Sequence, residues 1–446
     1  MTTLVLRADA GPGIGVGHLS RCVAIAEDAT ARGWTTTLVG AITGADWLTA
    51  RLTELGVEIR PDWTPADTVL IDHYGDITPP DALVVSMEDG PHGRRRADIA
   101  VDCNLAPTTR PDDGTPRLLS GPAYAPIRTA VRTARRAGPE ARSRLRVVVT
   151  MGGGDAGRAV TAALSALGGT GLPLDVLAVS AAPIDRAALP PTVEVTPPRP
   201  DLPALLADAD LVVSAAGVTL LELCCIGTPA AIAVIADNQL PGYTAATTRG
   251  LAAGLGDLTD PTAVETLRDL LTNPEARAAL AAKAARTVDG RGACRILNAA
   301  AGITVRDATP ADADLLLTWR NDPETRRWSV NPDPVDPDTH TRWLATALTT
   351  RRLLIAEQAG TPVATVRFDP RPDGDLEASI TLAPHARGRR LARPVLEAAH
   401  DALPPDARVH ARIHRDNTAS RRLFAAAGYR PATRPPDGPF DFFYRY

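Results

Sequence analysis

A histidine ends a glycine-rich stretch near the start of the chain, in RADAGPGIGVGHLSRC (7–22). Bare glycine backbone is typical of a turn that approaches a phosphate, and a neutral imidazole at the start of a helix can act as a base. The spacing fits neither G-x-G-x-x-G nor the P-loop. His18 is therefore a candidate catalytic base; the alternative is a tight turn in which it only caps or packs. The glycines expected near the ligand are Gly13, Gly15 and Gly17.

Two later strand-to-helix turns, TMGGGDAG (150–157) and SAAGVTLLEL (214–223), have the same anion-binding character. A carboxylate one turn into the second helix is costly unless it meets donors, and ribose hydroxyls are suitable donors. Glu222 is thus a candidate ribose ligand, or else a structural charge near the helix start. The backbone positions expected to bind a nucleotide are Gly152, Gly153, Gly154, Gly217, Val218 and Thr219.

Composition excludes several classes of protein. The net charge of −4 and the absence of a long apolar run argue against nucleic acid and membrane partners, and favour a cytoplasmic protein. Five cysteines without a C-x-x-C pair indicate neither a disulfide framework nor a metal site, so no metal is expected. The single lysine, Lys283, lies in an alanine-rich helix, which argues against enzymes that need a lysine in a loop or pocket.

The length of 446 residues suits about three domains. Apolar strands alternating with helices predict an α/β fold with two Rossmann-like doubly wound domains, over 1–140 and 141–300, joined by a polar linker near 133–144. Open parallel sheets bind ligands at their strand-to-helix turns, so the glycine turns are expected to face a cleft. A third domain, of α+β type, is expected over 303–446.

The stretches RADAGPGIGVGHLSRCVAIA, LIDHYG, LLSGPAYAPIR, VVVTMGGGDAG and ADLVVSAAGVTLLELCCIGTPAAIAVIADNQ resemble, in order, the UDP-sugar hydrolases of pseudaminic acid synthesis, a GT-B-like family. The resemblance implies cleavage of a UDP-diacetamido-trideoxy sugar, with His18 as the base for water. It places Asp72 and Tyr74 near the sugar, where the alternatives are a helix cap and a wall residue. It also places Asn238 and Gln239 near the sugar diphosphate, where the alternative is a turn, and it supports Glu222 on the ribose.

The stretches WRNDPETRRW, SITLAPHARGRRLARPVLEAA and RDNTASRRLFAAAGYRP resemble GNAT N-acetyltransferases, especially amino-sugar acetyltransferases. This implies acetyl-CoA as co-substrate and Glu377 as a base or water-positioning group, unless it is an exposed strand charge. Arg390 stands where the family usually has glycine, and Phe424 stands where it usually has the tyrosine that protonates the thiolate. The residues expected to bind acetyl-CoA are Ile380, Leu382, Arg387, Gly388, Arg389, Arg390, Leu391, Ala392 and Asn417.

Together these features predict a bifunctional enzyme that N-acetylates an amino sugar and hydrolyses a UDP-sugar to UDP and free sugar. A nucleoside diphosphate is a good leaving group, so one positioned base suffices where glycosidases use two carboxylates. One alternative is a glycosyltransferase with the same cleft, since fold does not fix function. The other is a nucleotide-sugar-binding protein with an inactive GNAT domain.

Overall fold

The computed structural model describes residues 2–11, 13–135, 142–152, 156–184, 192–404, 407–433 and 437–445. The chain forms two compact units, Met1–Leu297 and Asn298–Tyr446. Gly153, Gly154 and the centre of the predicted linker lie outside the described residues. Within the described ranges, no helix is both long and apolar enough to cross a lipid bilayer.

The first sheet of the N-terminal unit has seven parallel strands in the order β3-β2-β1-β4-β5-β6-β7. Parallel strands are covered on both faces and therefore appear in sequence as continuous apolar runs. The strands are β1 (Thr3–Arg7), β2 (Thr35–Val39), β3 (Glu58–Arg60), β4 (Thr68–Ile71), β5 (Leu83–Glu88), β6 (Ile99–Asp102) and β7 (Arg117–Ser120), with helices α1 (Gly17–Ala31), α2 (Asp46–Glu54) and α3 (Thr129–Ala134).

The expected alternation of strands and helices is wrong for part of this sheet. Residues 72–116, all described, contain β5 and β6 but no helix, so each connection from β4 to β5, from β5 to β6 and from β6 to β7 is a loop. These loops carry several prolines, which remove a backbone donor and disfavour a helix interior.

The second sheet has six parallel strands in the order β10-β9-β8-β11-β12-β13. Its core consists mainly of valine, leucine and alanine from the strands and from the helices that pack on them. The strands are β8 (Leu145–Thr150), β9 (Leu174–Val179), β10 (Val193–Thr196), β11 (Leu211–Ala215), β12 (Ala230–Ala233) and β13 (Ala253–Gly256), with helices α4 (Gly157–Gly169), α5 (Leu202–Ala207), α6 (Val218–Ile226), α7 (Leu240–Thr248), α8 (Pro261–Thr272), α9 (Pro274–Ala284) and α10 (Gly292–Ala300).

Helix α10 follows the second sheet in the chain but contacts the first. Nη2 of Arg32 donates to the carbonyl oxygen of Cys294 at 3.0 Å, and Nη1 of Arg295 donates to that of Ala123 at 2.6 Å. The chain therefore returns to the first sheet before the C-terminal unit begins.

In each parallel sheet the strand order reverses beside a glycine-rich turn. The reversal lies between β1 and β4 in the first sheet and between β8 and β11 in the second. Ligands of open α/β sheets bind outside the carboxyl ends of the strands at such switch points. His18, at the start of α1, and Asp72, directly after β4, belong to the first of these points.

The C-terminal unit is built on a seven-stranded mixed sheet in the order β14-β15-β16-β17-β18-β20-β19. Its neighbours pair antiparallel except for β17 and β18, which are parallel. The elements are β14 (Ile303–Asp307), α11 (Ala313–Asn321), α12 (Pro323–Arg327), α13 (Pro337–Thr350), β15 (Arg352–Gln358), β16 (Thr361–Pro370), β17 (Leu376–Leu382), α14 (Ala392–Asp401), β18 (Val409–His414), α15 (Thr418–Ala426), β19 (Arg430–Pro431) and β20 (Phe440–Arg445).

Strands β17 and β18 separate part-way along their length. Their register runs from Leu376–Val409 to Ala378–Ala411, and β17 continues beyond it to Leu382. The edge of β17 after Ala378 therefore carries backbone groups that β18 does not pair, and a ligand with amide groups can pair with them.

Candidate functional sites

His18 is held by a buried carboxylate at the first switch point. Its Nδ1 lies 2.6 Å from Oδ1 of Asp72, which is fully buried. A carboxylate only accepts, so this short contact places the proton on Nδ1 and leaves Nε2 as the basic nitrogen. Nη2 of Arg21 also lies 3.2 Å from Nδ1, but it makes its shorter contact, at 2.7 Å, with Oδ1 of Asp72. Nε2 makes no hydrogen bond to a described residue, and the imidazole retains 9% exposure. The arrangement is that of a general base oriented by a carboxylate.

A buried arginine fixes that carboxylate. Nε and Nη2 of Arg21 donate to the two oxygens of Asp72, each at 2.7 Å, and Nη1 donates to Oδ1 of Asp89 at 2.8 Å. Burial acts to raise the pKa of Asp72, but the charge of Arg21 and the hydrogen bonds from His18 and Arg21 outweigh it and hold the pKa below its usual value. Asp72 is therefore a carboxylate at neutral pH.

Tyr74 lies over the edge of the imidazole. The centroids of its ring and that of His18 are 4.5 Å apart at 84°, and its hydroxyl donates to Oδ2 of Asp89. Burial raises the pKa of Tyr74, and the Asp89 carboxylate raises it further. The phenol therefore stays protonated, and with 43% of the residue exposed it can also meet a ligand.

The two parallel sheets meet at this site. Nδ2 of Asn238, which follows β12, donates to the hydroxyl of Tyr74 at 3.3 Å. A Cβ added to Gly17, at the start of α1, would lie 3.1 Å from Cγ2 of Val218, the first residue of α6. The amino ends of α1 and α6 are therefore adjacent, and Thr219 follows in the first turn of α6.

The predicted turns have the conformations that glycine permits. Gly13 and Gly15 have φ of +80° and +79°, and Gly152 has φ of +92°. Gly217 is extended and caps α6, and a Cβ there would lie 3.5 Å from Nε2 of Gln239. The structure thus groups His18, Asp72, Tyr74 and Asn238 with the glycine turns of α1 and α6 and with Gln239.

Glu222 is buried in an ion pair with Arg128, which lies in the sequence between the two parallel sheets. Nη2 and Nε of Arg128 both donate to its Oε1, at 2.8 and 3.2 Å, and the Arg128 guanidinium lies 4.8 Å from the ring centroid of Trp47. This agrees with a structural charge near the helix start. Oε2 accepts no hydrogen bond from a described residue, so the ribose-binding role stays a prediction.

Sequence reasoning missed Arg21, Asp89 and Arg128. Arg21 stands three residues after His18 on α1, a spacing that places both on one helix face. Asp89 directly follows β5, as Asp72 follows β4, so the shared position at strand ends was a usable signal. Arg128 and Glu222 are far apart in sequence, and no local pattern connects them.

In the C-terminal unit, the turn before α14 contains two residues of positive φ. Gly388 has φ of +74°, and Arg390 has φ of +58°. Arg390 is thus in the left-handed region that glycine favours. Leu391 is the N-cap of α14, and Ala392 is its first residue. The turn leads directly into a helix amino end, the geometry that binds phosphate groups.

Some of the other predicted residues in this unit have structural partners. Arg387 pairs with Asp322 at 2.6 Å, and Arg389 donates to Gln358 at 2.9 Å. Asn417 is the N-cap of α15 and accepts from the backbone nitrogen of Ser420 at 3.0 Å.

Ile380 and Leu382 lie on the section of β17 that extends beyond its register with β18. Phe424 is buried against Tyr429, with ring centroids 4.8 Å apart, so it belongs to the core.

Glu377 lies on β17 and is held by two arginines. Arg371 is 3.6 Å and Arg412 is 3.7 Å from its carboxylate. Nearby, ligand atoms of Asp373, Asp375 and His410 lie within 4.8 Å of one another, a set that could hold a metal ion. Arg371 pairs with Asp373 at 2.9 Å, and His410 pairs with Asp375 at 2.7 Å. The two aspartates and His410 thus already have partners of opposite charge or hydrogen-bond partners within the protein.

The family model described as "Acetyltransferase (GNAT) domain" matches residues 303–430. The C-terminal domain is a GNAT acetyltransferase domain. This GNAT domain includes the turn before α14 and the separated strands β17 and β18. No curated protein matches the chain.

Solved structures similar to parts of this chain include a MurG and several acetyltransferases. MurG from Acinetobacter baumannii is 15% identical with a TM-score of 0.48, over 67% of this chain and 99% of that one. Spermidine N-acetyltransferase from Vibrio cholerae, in complex with CoA and spermine, is 14% identical with a TM-score of 0.30, over 32% and 93%. An N-acetyltransferase from Staphylococcus aureus Mu50 is 21% identical with a TM-score of 0.26, over 32% and 97%.

Proposed function

We propose that the chain is a bifunctional nucleotide-sugar enzyme. Its N-terminal unit hydrolyses a UDP-sugar of the amino- or acetamido-deoxy class to UDP and free sugar. Its GNAT domain transfers the acetyl group of acetyl-CoA to the amine of an amino sugar. The observation that carries the hydrolase proposal is the position of His18, whose Nδ1 is held by buried Asp72 at a switch point while Nε2 stays unbonded to any described residue.

In the proposed hydrolysis, Nε2 of His18 takes a proton from water as the water oxygen bonds to the anomeric carbon. The bond from that carbon to the diphosphate oxygen breaks, and UDP leaves with the electron pair. A diphosphate needs no proton to leave, so no second acid is required. Asp72 stabilises the imidazolium that forms, as the aspartate of a catalytic triad does.

The adjacent helix starts support a diphosphate site. Unpaired backbone N–H groups and the positive ends of two helix dipoles attract an anion, and α1 and α6 approach each other at Gly17 and Val218. We place the diphosphate there, with Gly13, Gly15, Gly152, Gly217 and Thr219 around it. Asn238 and Gln239 are proposed to contact the sugar diphosphate, because Asn238 reaches Tyr74 beside His18.

The ribose is proposed to bind Oε2 of Glu222. That oxygen accepts no hydrogen bond from a described residue, whereas Arg128 occupies Oε1. Glu222 is only 7% exposed, so its carboxylate has little contact with water, and a ribose hydroxyl would supply a donor to the oxygen that Arg128 leaves free.

For acetyl transfer, we place the arm of acetyl-CoA along the section of β17 that has left β18, beside Ile380 and Leu382. The pyrophosphate binds the turn from Arg387 to Ala392. The amine nitrogen attacks the thioester carbonyl, the bond from carbon to sulfur breaks, and the thiolate leaves. A thiol pKa of about 8.5 makes this departure possible without an acid. Phe424 has no hydroxyl and so cannot protonate the thiolate. Glu377 is proposed to receive the amine proton through water.

The test incubates the full chain with a panel of UDP-amino sugars, with and without acetyl-CoA, and identifies products by mass spectrometry. We expect UDP release without any sugar acceptor, and an added acetyl group only with acetyl-CoA. His18→Ala should abolish UDP release while UDP binding persists; His385→Ala, in the GNAT domain, is the matched control. UDP release that requires a second sugar would instead indicate a glycosyltransferase, and near-normal turnover by His18→Ala would refute the assignment.

A further inference from the structure

A cavity of about 270 Å³ lies on one face of the GNAT-domain sheet, beside α11 and α13. Two cross-strand pairs of β16 and β17 form its floor: Arg367 with Ser379, and Thr365 with Thr381. Its volume is slightly below the ~300–1,000 Å³ of pockets for drug-sized ligands. The cavity therefore suits a ligand group the size of one sugar ring or one amino acid.

The ionisable side chains that line this cavity are basic: Arg320, His340 and Arg367. Nη2 of Arg320 donates to the carbonyl oxygen of Asn331 at 2.8 Å, while Nη1 is buried without a partner in the described ranges. Burial lowers the pKa of Arg320, and repulsion from Arg326 and Arg367 lowers it further. A partly buried guanidinium without a carboxylate partner favours an anionic ligand.

Arg367 has donors available for such a ligand. Its Nε donates to Oδ2 of Asp369 at 2.9 Å, and Oδ1 of the same carboxylate accepts from Arg351 at 2.9 Å. One carboxylate therefore serves two guanidinium groups. The Nη atoms of Arg367 donate to no described residue, and the guanidinium carbon lies 5.8 Å from the ring centroid of Trp343. The contact with Trp343 limits the orientations that these free donors can take.

We infer that the acceptor of the GNAT domain is a small amine that also carries an oxyanion, a carboxylate or a phosphate, and that Arg320 and Arg367 bind this anion in the cavity. The inference rests on the acetyl transfer proposed above and names its substrate class. A polyamine is disfavoured, because its second cation would face two guanidinium groups with no lining carboxylate.

The position of the cavity fits an acceptor site. Ser379 and Thr381 lie on the section of β17 that has separated from β18, where the thioester is proposed to bind. Adjacent residues of a strand are about 3.3 Å apart, so the cavity and the proposed thioester position along β17 are separated by only a few residues' length. An amine a few bonds from an anion held in the cavity can span that distance.

The test measures acetylation of a matched set of sugars by the full chain: glucosamine, glucosamine 6-phosphate and the corresponding 6-carboxylate, with spermidine as the polycation. We expect kcat/KM for at least one anionic sugar to exceed that for glucosamine about tenfold or more, as charge-assisted hydrogen bonds allow. Comparison of phosphate with carboxylate identifies the oxyanion. Arg367→Gln and Arg320→Gln should remove most of this preference, because each lowers kcat/KM for the anionic sugar more than kcat/KM for glucosamine.

Arg327→Gln is the matched control, since this side chain is 66% exposed and does not line the cavity. Equal turnover of neutral and anionic sugars, preference for spermidine, or an unchanged preference in both arginine variants would overturn the inference. Calorimetric binding of the same sugars is measured in parallel. Anion-dependent binding that Arg367→Gln abolishes, without acetylation, would uphold the anion site and refute acetyl transfer; absence of both would refute both.

Discussion

Nδ1 of His18 lies 2.6 Å from Oδ1 of Asp72, and that carboxylate also receives both ends of the Arg21 fork. The pairing fixes which imidazole nitrogen carries a proton and keeps the carboxylate charged. Substitution of Asp72 and of Arg21 can therefore test the two effects separately.

Asp72→Asn should lower kcat for UDP release by about 10³-fold or more while UDP still binds. The asparagine amide has one acceptor oxygen, which would accept from Arg21, and one NH₂ group, which would face His18. Because the NH₂ group donates to Nδ1, the imidazole proton would then lie on Nε2, and Nε2 could no longer act as the base. Turnover and calorimetric UDP affinity are the measurements. Asp67→Asn, an exposed partner of Thr3, is the control. Equal losses in both variants would argue against a specific role.

Arg21→Gln should lower the free energy of unfolding by about 3–5 kcal/mol, because Asp72 and Asp89 would be buried without their cation. Urea unfolding of the full chain measures this loss. Arg60→Gln breaks an exposed pair with Glu58 and should cost only about 0–1 kcal/mol. Similar midpoints for the two variants would contradict the buried network.

Acid should weaken the first sheet through Asp9. Burial acts to raise the pKa of Asp9, but contacts with Arg7, the Ala41 amide and His73 lower it to about 2. In the unfolded chain the pKa is about 3.9, so ionised Asp9 stabilises the fold above that pH, and this contribution disappears as pH falls toward about 2.

Asp9→Asn should therefore reduce stability at neutral pH and flatten the decline in unfolding midpoint between about pH 4 and 2. Urea titrations at several pH values measure both effects. Asp81→Asn, at an exposed position, should keep the wild-type slope. A wild-type slope in Asp9→Asn as well would show that Asp9 does not contribute.

Arg390→Gly should stabilise the GNAT domain by about 0.5–1 kcal/mol, because the left-handed conformation costs a residue with a Cβ more than it costs glycine. Calorimetric unfolding measures the shift. Arg389→Gly, next to it and without a positive φ, should destabilise. A loss of stability in both variants would refute the strain argument.

Much of the fold could be predicted because buried parallel strands appear in the sequence as short apolar runs, such as those of β4 and β11. The helices predicted between β4 and β7 are absent from the described residues 72–116. The spacing of apolar strands does not show whether a helix or a loop connects them. Proline content was the missing signal. The φ of Arg390 was foreshadowed only by the glycine that its family usually has there.

In the candidate site, too, some residues could be predicted from the sequence and others could not. His18, Asp72 and the glycine turns follow from position at strand ends, which is local information. Tyr74 and Asn238 meet only because two sheets pack together, and the pairing of Arg128 with Glu222 joins residues 94 positions apart. Such contacts depend on tertiary packing, which periodicity does not encode.

Because Gly17 has no side chain, the start of α1 can approach the start of α6 closely. A Cβ there would lie 3.1 Å from Cγ2 of Val218, so a larger residue would need Val218 or the starts of α1 and α6 to shift. The hydrogen atom that Gly17 carries in place of a side chain therefore sets how closely these two helix starts approach, at the place where a diphosphate is proposed to bind.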